Sequence, residues 1–111
     1  MKPPHNSSAA IYAHMLPALT ASARQCGYAL AVHGSMQRDL DLIAVPWVDE
    51  VTSPEALVEV LLATSGGRLI ARPGWEADGA TRSHGRRVWS LYLGGTPYID
   101  LSVMPRCPVT R

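Results

Sequence analysis

The sequence lacks several features that would set it apart from ordinary globular proteins. It has no Phe and two cysteines, and ten basic residues nearly balance nine acidic ones, which leaves a formal net charge of +1. Two cysteines do not make a disulfide framework, and Cys26 and Cys107 do not have the spacing of metal ligands. A net charge this small excludes the bulk electrostatic attraction that draws many proteins to nucleic acid.

Features of membrane proteins are also missing from the sequence. No apolar stretch approaches the length of a transmembrane helix. The first residues are polar and do not lead into the sustained apolar run of a signal peptide. The sequence therefore predicts a cytoplasmic protein that does not contact a membrane.

The residues that are present suffice for one domain. The chain has 111 residues, 47% of them hydrophobic, and three Trp and four Tyr supply core volume in place of Phe. Residues 1–8 are polar and contain prolines, and residues 105–111 form a second proline-containing tail. We therefore expect a single domain over residues 9–104, between a flexible N-terminus and a C-terminal tail.

Apolar spacing predicts two helices. The stripe formed by Ile11, Met15, Leu19, Ala23 and Cys26 favours a first helix, which Pro17 is expected either to kink or to force to restart. Ser53-Pro54-Glu55 combines a capping hydroxyl, a proline in the first turn and an early carboxylate, which predicts the start of a second helix. Ser65-Gly66-Gly67 is expected to end it.

Short apolar runs bounded by turn residues predict strands. These runs cover residues 28–32, 40–45, 68–72, 88–93 and 98–104, and the last two are expected to form an antiparallel hairpin. Residues 73–85 are polar and rich in Gly, Asp and Arg, which predicts a mobile loop. The expected fold is α/β (α+β), with helices packed on a mixed sheet of about four to five strands.

The most informative stretch runs from Gly34 to Leu42. Asp39 and Asp41 alternate along a predicted strand, so their carboxylates point to the same face. Like charges held that close repel each other, and a divalent cation removes the conflict. Carboxylate oxygens suit Mg²⁺, which often binds substrate phosphates as well. The Gly34-Ser35 turn just upstream offers backbone N–H groups and a hydroxyl to anionic oxygens.

The order Gly34-Ser35, Arg38 and Asp39-Leu40-Asp41 resembles the signature of the polymerase-beta-type nucleotidyltransferase superfamily. That signature also includes a third carboxylate on a later strand, and Asp100, in Tyr98-Ile99-Asp100-Leu101, fits its place. The resemblance covers roughly residues 28–104 and implies a minimal, single-domain member with a nucleotidyltransferase-like fold.

The resemblance implies a role for each of these residues. Asp39 and Asp41 would bind Mg²⁺ or Mn²⁺, and Asp100 would complete the metal site and orient or deprotonate the attacking hydroxyl. Gly34 and Ser35 would hold the nucleotide phosphates, with Arg38 beside them. The implied reaction transfers a nucleotidyl group from a nucleoside triphosphate to a hydroxyl on an RNA, a protein or a small molecule.

Several alternatives stay open. Arg38 adjoins Asp39 directly, so the turn is shorter than in the superfamily, and there is no room for the additional helical domain of many relatives. A second hypothesis is therefore an inactive binding or inhibitor protein, for example one encoded by a mobile element, that acts on a protein partner. A third is phosphodiester hydrolysis at the same metals.

Individual residues also have simpler interpretations. Asp39 and Asp41 can form a solvated strand edge, Asp100 can be a buried carboxylate in a hydrogen bond or ion pair, and Arg38 can pair with Asp41 or Glu50. Other basic side chains near the loop over residues 73–85 are either a phosphate contact or simply solvated; they are Arg82, His84, Arg86 and Arg87.

Overall fold

A computed structural model describes residues 6–36, 38–71, 73–95 and 97–106. Within these residues the chain forms two α-helices, six strands and one 3-10 turn. In chain order they are α1 (Asn6–Gln25), β1 (Tyr28–His33), β2 (Leu40–Pro46), α2 (Pro54–Ser65), β3 (Arg68–Leu69), β4 (Ala80–Thr81), the 3-10 turn (Ser83–Gly85), β5 (Arg87–Tyr92) and β6 (Tyr98–Val103).

The strands form one mixed sheet in the order β1-β2-β6-β5-β3, and the short β4 also pairs with β5. The β2–β6 pair is parallel, and the other pairs are antiparallel. This arrangement confirms the predicted α+β class with a mixed sheet. The sheet has six strands, more than the four to five expected, because β3 and β4 each pair with β5 over two residues.

The two helices pack against one face of the sheet and enclose the core. Along β2 and β6 every second side chain is buried against them; these are Leu40, Leu42 and Ala44 of β2, and Ile99, Leu101 and Val103 of β6. The alternation follows from the two-residue period of a strand. It leaves the intervening side chains on the opposite face, which we call the open face because neither of the described helices covers it.

The helix α1 runs without interruption from Asn6 to Gln25 with Pro17 inside it, so of the two outcomes expected at Pro17 the restart is wrong. The helix begins inside the segment 1–8, whose predicted flexibility stays a prediction. Ile11 is 46% exposed and Tyr12 is fully buried, so the buried stripe runs through Tyr12, Leu19 and Ala23. Burial of this stripe on both sides of Pro17 compensates for the backbone hydrogen bond that proline cannot donate.

The ends of α2 agree with its sequence signals. Ser53 accepts a hydrogen bond from the Ala56 N–H at 3.1 Å, and Pro54 lies in the first turn. Gly66 adopts a φ of 76° and its N–H donates to the Leu62 carbonyl at 2.8 Å, which closes the helix. Across the described parts of the chain, no helix has the length and apolar character needed to cross a membrane.

The region 73–85 is more ordered in secondary structure than the expected loop, since it contains β4 and the 3-10 turn. Ser90 holds the start of this region against β5. Its N–H donates to the Glu76 carbonyl at 2.8 Å, and its hydroxyl accepts from the Glu76 N–H at 3.1 Å. The third predicted strand is shorter than expected and ends at Leu69; Arg72, Cys107 and the rest of the tail lie outside the described residues.

Candidate metal centre

The sheet register brings the three predicted acidic residues together on the open face. Asp41 and Asp100 are direct partners in the parallel β2–β6 ladder, so their side chains leave the same face. Asp39 lies two residues before Asp41, which places it on that face as well. One carboxylate oxygen from each of the three lies within 4.8 Å of the others, and all three side chains are half-buried.

The cross-strand pair of Asp41 and Asp100 has a polar neighbour on each adjacent strand of the sheet. His33 is paired with Asp41, and Ser90 is paired with Asp100. The order across the open face is therefore His33, Asp41, Asp100 and Ser90. Burial and like charges raise the pKa of both aspartates, and His33 opposes this rise.

Burial and mutual repulsion dominate the titration of the aspartates. The pKa of Asp41 is raised from 3.8 to about 6. Burial is the largest cause, and a hydrogen bond to Asp39 and the charges of Asp39 and Asp100 add to it. Burial, followed by the charge of Asp39, also raises the pKa of Asp100. The cluster is therefore unfavourable when all three groups are ionised, and a cation would relieve it.

The donor set fits a hard divalent ion. Mg²⁺ binds oxygen ligands at about 2.0–2.1 Å, so ligands on opposite sides of one ion lie about 4 Å apart. One carboxylate oxygen from each aspartate lies within 4.8 Å of the others, which is compatible with that span. Asp41 lies at the start of β2 and Asp100 lies inside β6, and Asp39 immediately precedes β2, so two adjacent parallel strands position the candidate ligands.

The Gly34-Ser35 turn lies directly against this cluster. Gly34 has a φ of 82°, and a Cβ placed on it would lie 2.7 Å from Asp41 Oδ2. Only glycine therefore allows the backbone to approach the carboxylate this closely. The next residues complete the turn: Ser35 is exposed, and Met36 takes a positive φ of 62° while packing against the core.

Arg38 does not form the ion pairs that were considered for it. Its side chain is exposed, and within the described residues it makes no ion pair with Asp41 or Glu50. Its carbonyl oxygen, by contrast, has a defined partner in the core. The contact of Arg38 with nucleotide phosphate, which the resemblance implies, stays a prediction.

Tyr12 of α1 fastens the two segments that carry the aspartates, and sequence reasoning missed it. Its buried hydroxyl donates to the Arg38 carbonyl at 2.5 Å and accepts from the Tyr98 N–H at 3.2 Å. Arg38 immediately precedes Asp39, and Tyr98 lies two residues before Asp100. The sequence did contain a signal for this role: a tyrosine beside the apolar stripe of a helix is often buried, and a buried tyrosine hydroxyl usually has a hydrogen-bond partner.

A polar cleft of about 250 Å³ borders the cluster on the β5 side. Its lining includes Asp100, Tyr98 and Ser90, together with the charged residues Glu76, Arg82 and Arg86. Beside it, Trp75 packs against the rings of Tyr92 and Tyr98, with centroid distances of 5.5 and 5.0 Å. The acidic cluster thus has one neutral turn on one side and a cleft containing two arginines on the other.

Comparisons with protein-family models, curated proteins and solved structures found no match to this chain. Its function is therefore inferred from its own residues and their geometry.

Proposed function

We propose that the protein is a metal-dependent nucleotidyltransferase, which transfers a nucleotidyl group from a nucleoside triphosphate to a hydroxyl acceptor. The observation that carries this proposal is the meeting of Asp39, Asp41 and Asp100, with carboxylate oxygens within 4.8 Å of one another. The Gly34-Ser35 turn against Asp41 supports it, because phosphoryl transfer needs a phosphate-binding backbone next to the metal ligands.

Each residue has a defined task in this reaction. Asp39 and Asp41 hold Mg²⁺ or Mn²⁺, and the Gly34-Ser35 turn, with Arg38 exposed nearby, binds the phosphates of the donor. A bound divalent ion supplies charge neutralisation for the entering and leaving oxygens of an in-line displacement. Asp100 orients the acceptor hydroxyl and takes its proton, the hydroxyl oxygen bonds to the α-phosphorus, and pyrophosphate leaves.

The test combines metal binding with transfer. Purified protein is titrated with Mg²⁺ and Mn²⁺ by calorimetry, and then incubated with labelled nucleoside triphosphates and RNA, protein and small-molecule acceptors. We expect Asp41→Asn to lose metal binding and labelling, and Asp49→Asn, in the exposed segment after β2, to retain both. Absence of metal binding together with absence of labelling in every combination would refute the proposal.

An exposed apolar surface favours a second candidate function, a binding or inhibitor protein that acts on a protein partner. Trp47 is 77% exposed, and Val48 and Val45 beside it are 46% and 39% exposed. Trp47 and Val48 border a groove of about 360 Å³ between β1 and the end of α1. Large exposed aromatic and aliphatic side chains that lie together are typical of protein contact surfaces.

Two variants separate the candidates. In cells that show a phenotype of the protein, the double variant Asp39→Asn with Asp41→Asn removes the metal ligands, and Trp47→Ser changes only the exposed surface. Loss of the phenotype in the first variant alone supports transfer. Loss in the second alone, with the first fully active, supports the binding protein.

A further inference from the structure

We propose that the cleft beside Asp100 is the acceptor subsite, and that it binds an acceptor whose hydroxyl lies close to a phosphate group. This inference rests on the proposed function for the transfer itself, and it adds the chemical class of the acceptor. The phosphate would be held by Arg86.

The position of the cleft separates it from the donor turn. In the sheet order β1-β2-β6-β5, the Gly34-Ser35 turn follows β1, whereas the cleft lies over β6 and β5. Asp41 and Asp100 lie between the two. A nucleotide held by the turn therefore leaves the far side of Asp100 to the second substrate, and that side is the cleft.

The cleft contains an arginine that is already held in place. Arg86 donates through Nη1 to the hydroxyl of Ser102 at 2.9 Å, and Ser102 is only 7% exposed. A guanidinium has five N–H donors arranged in a planar fork, which suits two-point contact with phosphate. Arg86 is half-buried, so a phosphate would meet it away from much of the competing water.

The rim adds a second cation. Arg82 forms an ion pair with Glu76, and both side chains are more than a third exposed. Glu76 offsets its charge, so Arg82 alone does not define an anion site. We therefore assign the main role to Arg86, and Arg82 lines the same cleft.

The spacing along β6 limits the acceptor. Ser102 lies two residues after Asp100 on the open face, which corresponds to about 7 Å along a strand. Because Arg86 is bonded to Ser102, a hydroxyl at Asp100 and a phosphate at Arg86 would lie over neighbouring positions of the same strand face. The cleft, at about 250 Å³, is smaller than pockets for drug-sized ligands, which begin at about 300 Å³. It fits a small phosphorylated alcohol, or the phosphorylated end of a larger molecule.

The competing explanation is that Arg86 only balances the charge of Asp100. Burial and the charge of Asp39 raise the pKa of Asp100, and the charge of Arg86 partly opposes them, which agrees with such a structural role. The two explanations differ in whether the protein binds phosphate at this place, and binding can be measured without metal or transfer.

The experiment is a titration of the ¹⁵N-labelled full chain with glycerol 3-phosphate, followed by NMR. We expect saturable shifts around Arg86, Ser90 and Ser102, no binding of glycerol, and at least tenfold weaker binding by Arg86→Gln. Arg24→Gln, an exposed arginine in the last turn of α1, is the matched control and should bind like the wild type. If Arg86→Gln does not fold, Arg86→Lys replaces it, since lysine keeps the charge and loses the fork.

Equal binding by the wild type and the folded Arg86 variant would overturn the subsite, and so would shifts centred on Gly34 and Ser35. The double variant Asp39→Asn with Asp41→Asn keeps the two proposals apart. If it binds the probe normally while the wild type neither binds metal nor transfers nucleotide, the phosphate site stands and the proposed activity fails. If the wild type transfers nucleotide but does not bind the probe, the activity stands and the subsite fails.

Discussion

Burial of Asp41, together with repulsion within the acidic cluster, should make the metal-free protein less stable at neutral pH than at mildly acidic pH. The folded state raises the pKa of Asp41 from 3.8 to about 6, so the folded state binds this proton more tightly than the unfolded state. By linkage, stability falls as the pH rises from about 4 to about 6, and the full penalty is present above that range. Replacing Asp41 by Asn removes the charge and should remove the penalty.

The size of the effect follows from the shift. A pKa difference of about two units corresponds to ~3 kcal/mol, and solvent screening at this half-buried site reduces it to about 1–2 kcal/mol. For a domain of this size, such a gain raises Tm by about 4–8 °C. Asp41→Asn should therefore melt that much higher than the wild type at pH 8 in EDTA, and the difference should shrink towards pH 4.

The assay is thermal unfolding followed by circular dichroism across this pH range, with Asp49→Asn as the exposed control. Added Mg²⁺ or Mn²⁺ at ten times its Kd should stabilise the wild type by about 1.4 kcal/mol and so raise its Tm, and should leave the Tm of Asp41→Asn unchanged. If the two Asn variants have the same Tm at pH 8 in EDTA, the reasoning about mutual repulsion is wrong.

Three further substitutions test other parts of the structure. Tyr12→Phe leaves two part-buried backbone groups without this partner, so it should cost about 1–3 kcal/mol in urea unfolding and weaken Mn²⁺ binding. Unchanged values of both would contradict its role. Gly34→Ala should destabilise the protein more than Gly66→Ala, which has a similar positive φ of 76° but no atom within 4 Å of the new Cβ; equal losses would mean that contact with Asp41 is unimportant. Leu61→Ala should cost about 2–5 kcal/mol by calorimetry because this side chain is fully buried, and a loss below 1 kcal/mol would place it outside the core.

The pattern of apolar residues was sufficient to predict the fold class and most elements. Strands β1, β2, β5 and β6 are long enough to show a clear apolar run, and Ser53 and Pro54 mark the start of α2. The pairings of β3 and β4 could not be predicted, because each involves two residues and depends on contacts with β5. Glu76, which precedes β4, is likewise held by Ser90, fourteen positions later in the chain.

The acidic residues of the site could be selected from the sequence, but their surroundings could not. Asp39 and Asp41 share a face by alternation alone. That Asp100 pairs directly with Asp41 depends on the parallel β2–β6 register, which connects positions 59 residues apart. The burial of Tyr12 could not be predicted for a related reason. Ile11 and Tyr12 are neighbours in the sequence, and a small rotation of α1 about its axis would bury Ile11 instead, so packing against the sheet decides which of the two is buried.

The direct pairing of Asp41 with Asp100 also determines where the chain can change length. Adding or removing one residue between Tyr98 and Asp100 would reverse the parity of β6, sending the carboxylate into the apolar layer and a leucine out to solvent. The same insertion in the turn before β6 leaves that parity intact. Variants of this protein with altered loops can therefore keep the cluster, whereas a single-residue insertion or deletion at the start of β6 would abolish the cluster and weaken the core together.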